Sequence, residues 1–452
     1  MSLIKRLNEA QTDERSRPSQ PALKGKQPEK EQDPYIAMKM RIQNSAIEDL
    51  DIDFDEISDQ NQELKRQISE ILAKHIETEA LNMTMSQKNK AREELMDEII
   101  GFGPITGLLA DSSITEIMVN GPDHVYVERK GKLVLTDAKF KDNNHVLHVI
   151  KKIVSPIGRR IDESSPMVDA RLPNGSRVNA VIPPLALDGP SITIRKFAED
   201  PLQVNDLVGF GTLNSRMADI LRLCVEGRLN IVVSGGTGSG KTTTLNVLSS
   251  FIPEDERIVT IEDAAELQLS QTHVVRLETR PVNIEGKGEV SIRDLVRNSL
   301  RMRPDRIIVG EVRSGESLDM LQAMNTGHDG SLTTGHANTP RDMLARLETM
   351  VLMSGMNLPV KAIREQISSA VDLIVQQSRL VDGSRKITHI TEVQGMEGEV
   401  IILQDIFRFE AKGLDGKGKL QGDFAFTGIV PKFMDKLKER GIHVQEDMFS
   451  TM

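Results

Sequence analysis

The pattern of apolar and polar positions divides this 452-residue chain into a helical region and two regions with strands. From Tyr35 to about Glu94, apolar residues recur every three or four positions, and neither glycine nor proline occurs between Pro34 and Gly101. This spacing predicts a small bundle of two or three helices over residues 35–100. We expect the bundle to be either a module for docking a partner or a cap on the following domain.

After Gly101 the pattern changes to short β-type runs joined by tight turns. Two such runs flank Pro173-Asn174-Gly175, which is a strong hairpin signal. Further strands are predicted at 114–120 and 191–197. Residues 101–200 are therefore predicted to form a separate α+β domain.

Residues 201–452 alternate apolar runs with helical patterns, which is typical of an α/β fold with a mostly parallel sheet covered by helices on both faces. The predicted strands are 229–233, 257–261, 273–277, 306–309, 331–334, 371–375 and 400–403. The first 34 residues carry few apolar groups, a composition that predicts a disordered tail.

Composition restricts the function classes. The net charge of −10 and the absence of tryptophan disfavour a nucleic-acid partner, because no basic surface interleaved with aromatic side chains is available. The single cysteine excludes intramolecular disulfides and a four-cysteine zinc module. No apolar stretch approaches the length of a membrane span, and no signal peptide is visible, so we expect a cytoplasmic protein without a direct membrane span.

One segment carries a specific phosphate-binding pattern. Residues 228–245 read RLNIVVSGGTGSGKTTTL, a buried-strand pattern followed by a glycine-rich turn and a helix start. The turn matches GxxxxGK[ST], in which backbone N–H groups surround a polyphosphate, Lys241 reaches the β- and γ-phosphates, and Thr242 ligates Mg²⁺. The predicted nucleotide-binding residues are Gly235, Gly236, Thr237, Gly238, Ser239, Gly240, Lys241, Thr242 and Thr243.

Carboxylates follow two of the predicted strands. Glu311 comes after 306–309, and Glu262 comes after 257–261 with Asp263 and Glu266 close behind. Ligands of doubly wound sheets bind at the carboxyl ends of strands, so these acids are candidates for holding Mg²⁺ or orienting water. Their alternative role is to cap the next helix.

Histidines and arginines complete the candidate chemistry. His328 and His336 bracket the run at 331–334, and His336 is the better candidate for a hydrogen bond to the γ-phosphate. Guanidinium groups stabilise charge on a transferring phosphoryl group, and the candidates are Arg171, Arg177, Arg195, Arg276 and Arg280. Arg293, Arg297 and Arg301 form a helical stripe that is expected to be a solvated face or a subunit contact.

These motifs together resemble the type II/type IV secretion ATPase superfamily. GGTGSGKTTTLN, TIEDAAEL, RPDRIIVGEVRSGE and TGHDGSLTTGHANT resemble its phosphate loop, Asp box, Walker B motif and His box, in that order. ITEIMVNGPDHVYVERKGKL and DARLPNGSRVNAVIPPLALDGPSITIRKF resemble the amino-terminal domain of the tight-adherence (Tad/Flp) pilus branch, often called CpaF-like. The resemblance covers about residues 95–452.

The resemblance implies a homo-hexameric ring of RecA-like domains, each beside a PAS-like domain, that uses ATP and Mg²⁺. It implies that the ring moves an inner-membrane platform which assembles pilin, from the cytoplasmic side of that membrane. It assigns water activation to Glu311, Mg²⁺ binding to Thr242, Glu262 and Glu311, and further catalytic roles to Glu262, His336, Arg195, Arg276 and Arg280, with Arg171 and Arg177 at the nucleotide. Gly310 stands where many P-loop enzymes have aspartate, which leaves the second Mg²⁺ ligand open.

Two other functions are compatible with these residues. A RecA-like nucleic-acid motor would share the phosphate loop, and DNA-stimulated ATPase activity would identify it. A nucleotide-dependent scaffold would bind ATP without useful turnover, and a steady-state phosphate-release assay would distinguish it.

Overall fold

A computed structural model describes residues 34–49, 62–80, 82–129, 131–197, 201–282, 287–416, 418–444 and 446–449. The chain divides into two units, Met1–Lys196 and Phe197–Met452. The prediction of a disordered tail over residues 1–34 lies outside the described residues, except at Pro34. Within the described residues, no helix is long and apolar enough to cross a bilayer.

Within the described residues, the helical spacing at the start of the first unit produces three helices, α1 (Pro34–Asp49), α2 (Gln62–Glu79) and α3 (Met85–Ile99). Their apolar stripes face one another in a shared core formed by Met38, Ile42, Ala46, Ile68, Leu72, Ile76, Ala80, Leu95 and Ile99. Thr84 and Gln87 form a capping box that starts α3, since each side chain accepts a hydrogen bond from the other residue's backbone N–H.

A six-stranded antiparallel sheet follows, with the strand order β3-β2-β1-β6-β5-β4. Its strands are β1 (Ile114–Asn120), β2 (His124–Arg129), β3 (Lys132–Leu135), β4 (Met167–Arg171), β5 (Arg177–Val181) and β6 (Ser191–Arg195). A short 3₁₀ turn at Gly103–Ile105 and α4 (Thr106–Ala110) precede β1, and α5 (Asn143–Val154) lies between β3 and β4. Alternation along the strands buries one face of the sheet in a core shared with α5.

The second unit is built on a nine-stranded sheet with the order β15-β14-β13-β12-β7-β11-β10-β8-β9. Its strands are β7 (Ile231–Gly235), β8 (Ile258–Glu262), β9 (Val274–Glu278), β10 (Arg306–Val309), β11 (Leu332–Gly335), β12 (Leu373–Arg379), β13 (Arg385–Glu397), β14 (Val400–Leu414) and β15 (Leu420–Phe426). The six strands from β12 to β9 in this order are parallel. β13, β14 and β15 add an antiparallel extension at one edge.

Helices cover both faces of this sheet. They are α6 (Val204–Gly209), α7 (Ser215–Glu226), α8 (Lys241–Ser249), α9 (Ile292–Ser299), α10 (Glu316–Asn325), α11 (Pro340–Leu352), α12 (Val360–Ala370) and α13 (Phe433–Glu439), with a final 3₁₀ turn at Glu446–Phe449. Successive residues of β7 point to opposite faces, so Ile231 packs with α7 and α8 whereas Val232 packs with α10, α11 and α12. This is a three-layer arrangement.

The predicted α/β class with a mostly parallel sheet is confirmed. Two strands are missing from the prediction, β13 and β15, and β14 is much longer than the predicted 400–403. The apolar alternation of β13 is broken by buried Thr391 and Glu392, and its register shifts twice against β14. Such a strand has no clean period of two in its sequence.

Candidate functional site

The glycine-rich segment forms a phosphate loop between β7 and α8. Gly238 and Gly240 adopt positive φ angles of +70° and +97°, a region that favours glycine. A Cβ on Gly235 would lie 2.3 Å from the backbone oxygen of Gln377, so the strand end also requires glycine. The loop therefore turns tightly and leads directly into the amino terminus of α8, where N–H groups and the helix dipole favour an anion.

Lys241 lies at the centre of the site and is 7% exposed. Its Nζ donates to the backbone oxygen of Gly236 at 3.1 Å and lies 3.4 Å from both ring nitrogens of His336. Burial lowers the pKa of Lys241, and the charge of Glu311 opposes that shift. The ammonium group is thus held inside the loop at the place where the motif requires it.

Glu311 reaches the same point from β10. Its Oε1 lies 2.8 Å from Nε2 of His336, and its Oε2 accepts hydrogen bonds from Arg313 at 2.9 and 2.6 Å. Oε1 is buried and lacks an aligned hydrogen-bond partner within the described residues. A carboxylate oxygen with remaining acceptor capacity can bind a water molecule or a metal-bound water.

His336 bridges the two because β11 lies between β7 and β10 in the sheet. Burial first, and then the charge of Lys241, lower the pKa of His336 below its ordinary value, although Glu311 opposes the shift. The balance of these effects favours the neutral imidazole, which can donate one hydrogen bond.

Glu262 occupies the space beside Gly310. A Cβ on Gly310 would lie only 2.8 Å from Cγ of Glu262. The Glu262 carboxylate is 3% exposed and accepts from the backbone N–H groups of Glu266 at 2.8 Å and Leu267 at 3.1 Å. Burial raises its pKa to about 6 in spite of these bonds. Glycine at position 310 thus makes room for this side chain.

A cleft of about 740 Å³ opens beside the phosphate loop, within the size range of small-molecule sites. It is lined by Gly236, Thr237, Arg313, His336, Ala337, Asn338, Asp342, Ala345, Arg346, Thr349, Met350 and Met353. The loop, the histidine and α11 therefore enclose a volume that a nucleotide's phosphates can enter.

The oxygen donors present also suit Mg²⁺. This ion commonly binds one or two protein oxygens together with substrate phosphates, and a full cage of protein ligands is not needed. Within the described residues, no group of three or more His, Cys, Asp or Glu side chains could hold a metal. The Thr242 hydroxyl in the first turn of α8 and the unsatisfied Oε1 of Glu311 fit the smaller set.

Residues 98–405 match the family model described as type II/IV secretion system protein. The chain belongs to the type II/IV secretion system family. It is 37% identical to a conjugal transfer protein of Mycobacterium tuberculosis over 312 residues, which cover 68% of this chain and 88% of that protein.

Two VirB11 proteins are also similar to this family member. The type IV secretion system protein VirB11 of Bartonella henselae is 32% identical over 348 residues, covering 67% of this chain and 96% of that protein. The VirB11 ATPase from the Brucella suis type IV secretion system, known from a crystal structure, is 31% identical in sequence to this chain. The two structures match with a TM-score of 0.35 over 64% of this chain and 94% of that one. The superfamily prediction is confirmed, and the tight-adherence branch stays a prediction.

Three of the arginines predicted to stabilise phosphoryl charge lie side by side in the first unit. Arg177 is directly opposite Arg171 on β4 and Arg195 on β6, so all three side chains leave the same face of the sheet. Arg195 also pairs with Glu116 at 2.9 Å. Like charges opposite one another destabilise a sheet, which makes this row a candidate anion-binding surface.

Arg276 and Arg280 lie apart from the phosphate loop along the sheet. Arg276 belongs to β9 and Arg280 follows it. β9 is an edge strand that is separated from β7 by three other strands. With strands about 4.8 Å apart, this spacing is roughly 19 Å. Arg280 donates instead to the backbone oxygen of Gly288 at 2.7 Å.

The remaining candidates have local partners. His328 precedes β11 whereas His336 follows it, so the two histidines lie at opposite ends of that strand. Arg293 and Arg297 both pair with buried Asp319, at 2.8 and 2.7 Å, which makes this part of the arginine stripe an ion-pair network within the chain.

The structure adds residues that the sequence did not single out. Arg313 holds one edge of the Glu311 carboxylate, although it lies within the Walker B-like stretch. Gln377 accepts a hydrogen bond from Thr244 of α8 at 2.7 Å. Arg385 donates to the backbone oxygen of Gly238 at 2.9 Å. The last two come from β12 and β13, far along the chain, and no local motif marks them.

Proposed function

We propose that this protein is a Mg²⁺-dependent ATPase that acts as a homo-hexameric motor on the cytoplasmic side of the inner membrane. It drives assembly of a tight-adherence or type IV pilus, or secretion, through a membrane platform. The observation that carries the proposal is the continuous contact from Lys241 through His336 to Glu311 at the carboxyl ends of β7, β11 and β10.

Nucleotide binding follows from the loop. The N–H groups of the loop and of the first turn of α8 surround the β- and γ-phosphates, and the Lys241 ammonium transfers from the Gly236 oxygen to a phosphate oxygen. Thr242 would hold Mg²⁺ directly and Glu311 would hold it through a metal-bound water, and the ion would supply charge neutralisation at the phosphates.

Hydrolysis depends on Oε1 of Glu311, which lies 2.8 Å from Nε2 of His336 but lacks an aligned hydrogen-bond partner within the described residues. Its Oε1 accepts a hydrogen bond from the attacking water and orients it toward the γ-phosphorus, while Arg313 fixes Oε2. The N–H of neutral His336 donates a hydrogen bond either to Glu311 or to a γ-phosphate oxygen. The arginine row of Arg171, Arg177 and Arg195 would stabilise the developing charge, and Glu262 would support the metal-bound water.

The test separates binding from turnover. Lys241→Ala should abolish ATP binding, measured by calorimetry, because the cation inside the loop is lost. Glu311→Gln should keep ATP binding but lose phosphate release, since an amide cannot orient water as a carboxylate does.

A matched control is Glu348→Gln. Glu348 pairs with Arg364 at 2.8 Å and its side chain is 22% exposed, against 18% for Glu311. This control should hydrolyse ATP at the parental rate. Near-parental turnover in Glu311→Gln would show that the water-activating role is wrong.

The pathway needs a test in cells. The Lys241→Ala protein expressed in place of the parent should abolish surface pili or secretion while the protein level stays unchanged. Stimulation of ATP hydrolysis by DNA would instead favour a nucleic-acid motor. A purified protein that binds ATP and releases no phosphate would favour a scaffold.

A further inference from the structure

A pair of arginines at the tip of the β12–β13 hairpin lies beside the phosphate loop and has no role in the mechanism above. Arg379 ends β12 and Arg385 begins β13, and the two are directly opposite in the antiparallel register. We call Arg379 and Arg385 the hairpin arginines. Side chains directly opposite in a strand pair leave the same face of the hairpin.

The hairpin arginines reach the loop because β12 is the parallel neighbour of β7. Gln377 is the register partner of Gly235, so β12 continues for two residues beyond the point where the loop begins. Nε of Arg385 donates to the Gly238 oxygen at 2.9 Å. A Cβ on Gly240 would lie 3.3 Å from Cδ of Arg385, and one on Gly238 would lie 3.9 Å from Nη1 of Arg379.

The hairpin arginines lack a carboxylate partner within the described residues. Among the ion pairs of the described residues, none joins Arg379 or Arg385 to a carboxylate. The carboxylate in the intervening turn, Asp382, is committed elsewhere, because it accepts from the N–H and hydroxyl of Ser384 and from the N–H of Leu420. These bonds lower the pKa of Asp382 to about 2 and fix the turn.

Two like charges held opposite one another by a rigid turn repel, and an anion between them removes the repulsion. Arg385 uses Nε on the loop, and within the part of the chain that the structure describes its two terminal nitrogens remain available. A guanidinium group binds phosphate oxygens in a two-point geometry that lysine cannot reproduce. The ligand chemistry that fits is therefore a diphosphate already seated in the loop.

We propose that the hairpin arginines bind the diphosphate part of the nucleotide, on the side of the loop away from Glu311. The side follows from strand order, since β12 flanks β7 on one side and β11 and β10 lie on the other. The proposal rests on the proposed function, because it assumes that the loop binds nucleotide. Both ADP and ATP carry this diphosphate, so the hairpin arginines stabilise substrate and product alike.

The hairpin also has a fixed connection to the start of its unit. Lys386 donates to the Gly211 oxygen at 2.7 Å, and the N–H of Ile387 donates to the Thr212 oxygen at 2.8 Å. Binding of a diphosphate at Arg385 should therefore protect the amide of Ile387 from hydrogen exchange. This readout does not depend on ATP hydrolysis.

The experiment measures ADP and pyrophosphate binding to the full-length protein by calorimetry. Arg379→Ala and Arg385→Ala should each raise the Kd for ADP about tenfold, and the double variant should raise it further. At saturating ATP, kcat should stay within about twofold, because ground state and transition state lose the same interaction. Arg385→Lys should recover only part of the affinity.

The matched control is Arg408→Ala, since Arg408 is an exposed arginine on the neighbouring strand β14 and pairs with Asp405. It should leave the Kd unchanged. Arg385→Ala also removes the hydrogen bond to Gly238 and could loosen the loop, which a lowered melting temperature of that variant would reveal. In that event Arg379→Ala is the variant that tests the proposal.

Two failures are distinguishable. An unchanged Kd for ADP in the double variant, with normal binding by the parent, would overturn the role of the hairpin arginines and leave the ATPase proposal intact. No nucleotide binding by the parent protein would overturn the proposed function and this inference with it.

Discussion

Replacement of Glu262 by glutamine should stabilise the protein at neutral pH. The folded state raises the pKa of Glu262 from 4.5 to about 6, because the buried carboxylate loses hydration. The folded protein therefore binds this proton more tightly than the unfolded chain does, and the free energy of unfolding falls as the pH rises from 4.5 to about 6. Ionisation of Glu262 lowers the free energy of unfolding by roughly 2 kcal/mol above pH 6 and does not lower it below pH 4.5.

Glutamine keeps a side-chain oxygen that can accept from the N–H groups of Glu266 and Leu267, and it removes the charge. We expect Glu262→Gln to be about 2 kcal/mol more stable than the parent at pH 8 and equal to it at pH 4.5. The measurement is native-state hydrogen exchange of the amides in β8 and the loop that follows, at several pH values. If Glu262 acts at the metal-bound water, turnover falls in the same variant.

The control for this prediction is Glu289→Gln, because Glu289 is exposed. It should leave the pH dependence of stability unchanged. A Glu262→Gln protein that is less stable than the parent at pH 8, or a difference that does not vary with pH, would refute the reasoning. The first result would mean that the backbone bonds need the full carboxylate charge.

Three further substitutions test other contacts. Arg195→Ala should lower turnover by about 10³-fold if Arg195 stabilises the transferring phosphoryl group. Glu116→Ala removes the partner of Arg195 and should not lower turnover. Equal turnover in the two variants would disprove the role of Arg195. Gly310→Ala should cost about 1–3 kcal/mol of unfolding free energy, measured by denaturant titration, since its Cβ would lie 2.8 Å from a buried side chain. Arg306→Met should lower the free energy of unfolding by about 3–5 kcal/mol in the same assay, because it leaves the buried Glu256 carboxylate without its main partner. An unchanged free energy of unfolding would contradict this.

Local features of the sequence determined the phosphate loop and the fold class. A buried strand, a glycine turn and a helix start are adjacent in the chain, so residues 231–249 need no distant contact to be recognised. The alternation of apolar runs and helical patterns likewise predicted a parallel sheet. Local periodicity failed at β13, where buried polar residues break the alternation.

The tertiary structure decided which residues meet. Lys241, His336 and Glu311 come together only because β11 pairs with both β7 and β10, an order that no local pattern specifies. The same order keeps Arg276 away from the loop and brings Arg385 to Gly238 from 147 positions further along the chain.

Side-chain packing decided the rest. The sequence presents Gly310 as a missing aspartate, whereas in the folded chain the side chain of Glu262 fills the space that a Cβ at 310 would need. Burial is then the largest influence on the pKa of that carboxylate, since desolvation depends on surroundings that only the packed core supplies. Strand pairing and burial are non-local, and a linear motif contains neither.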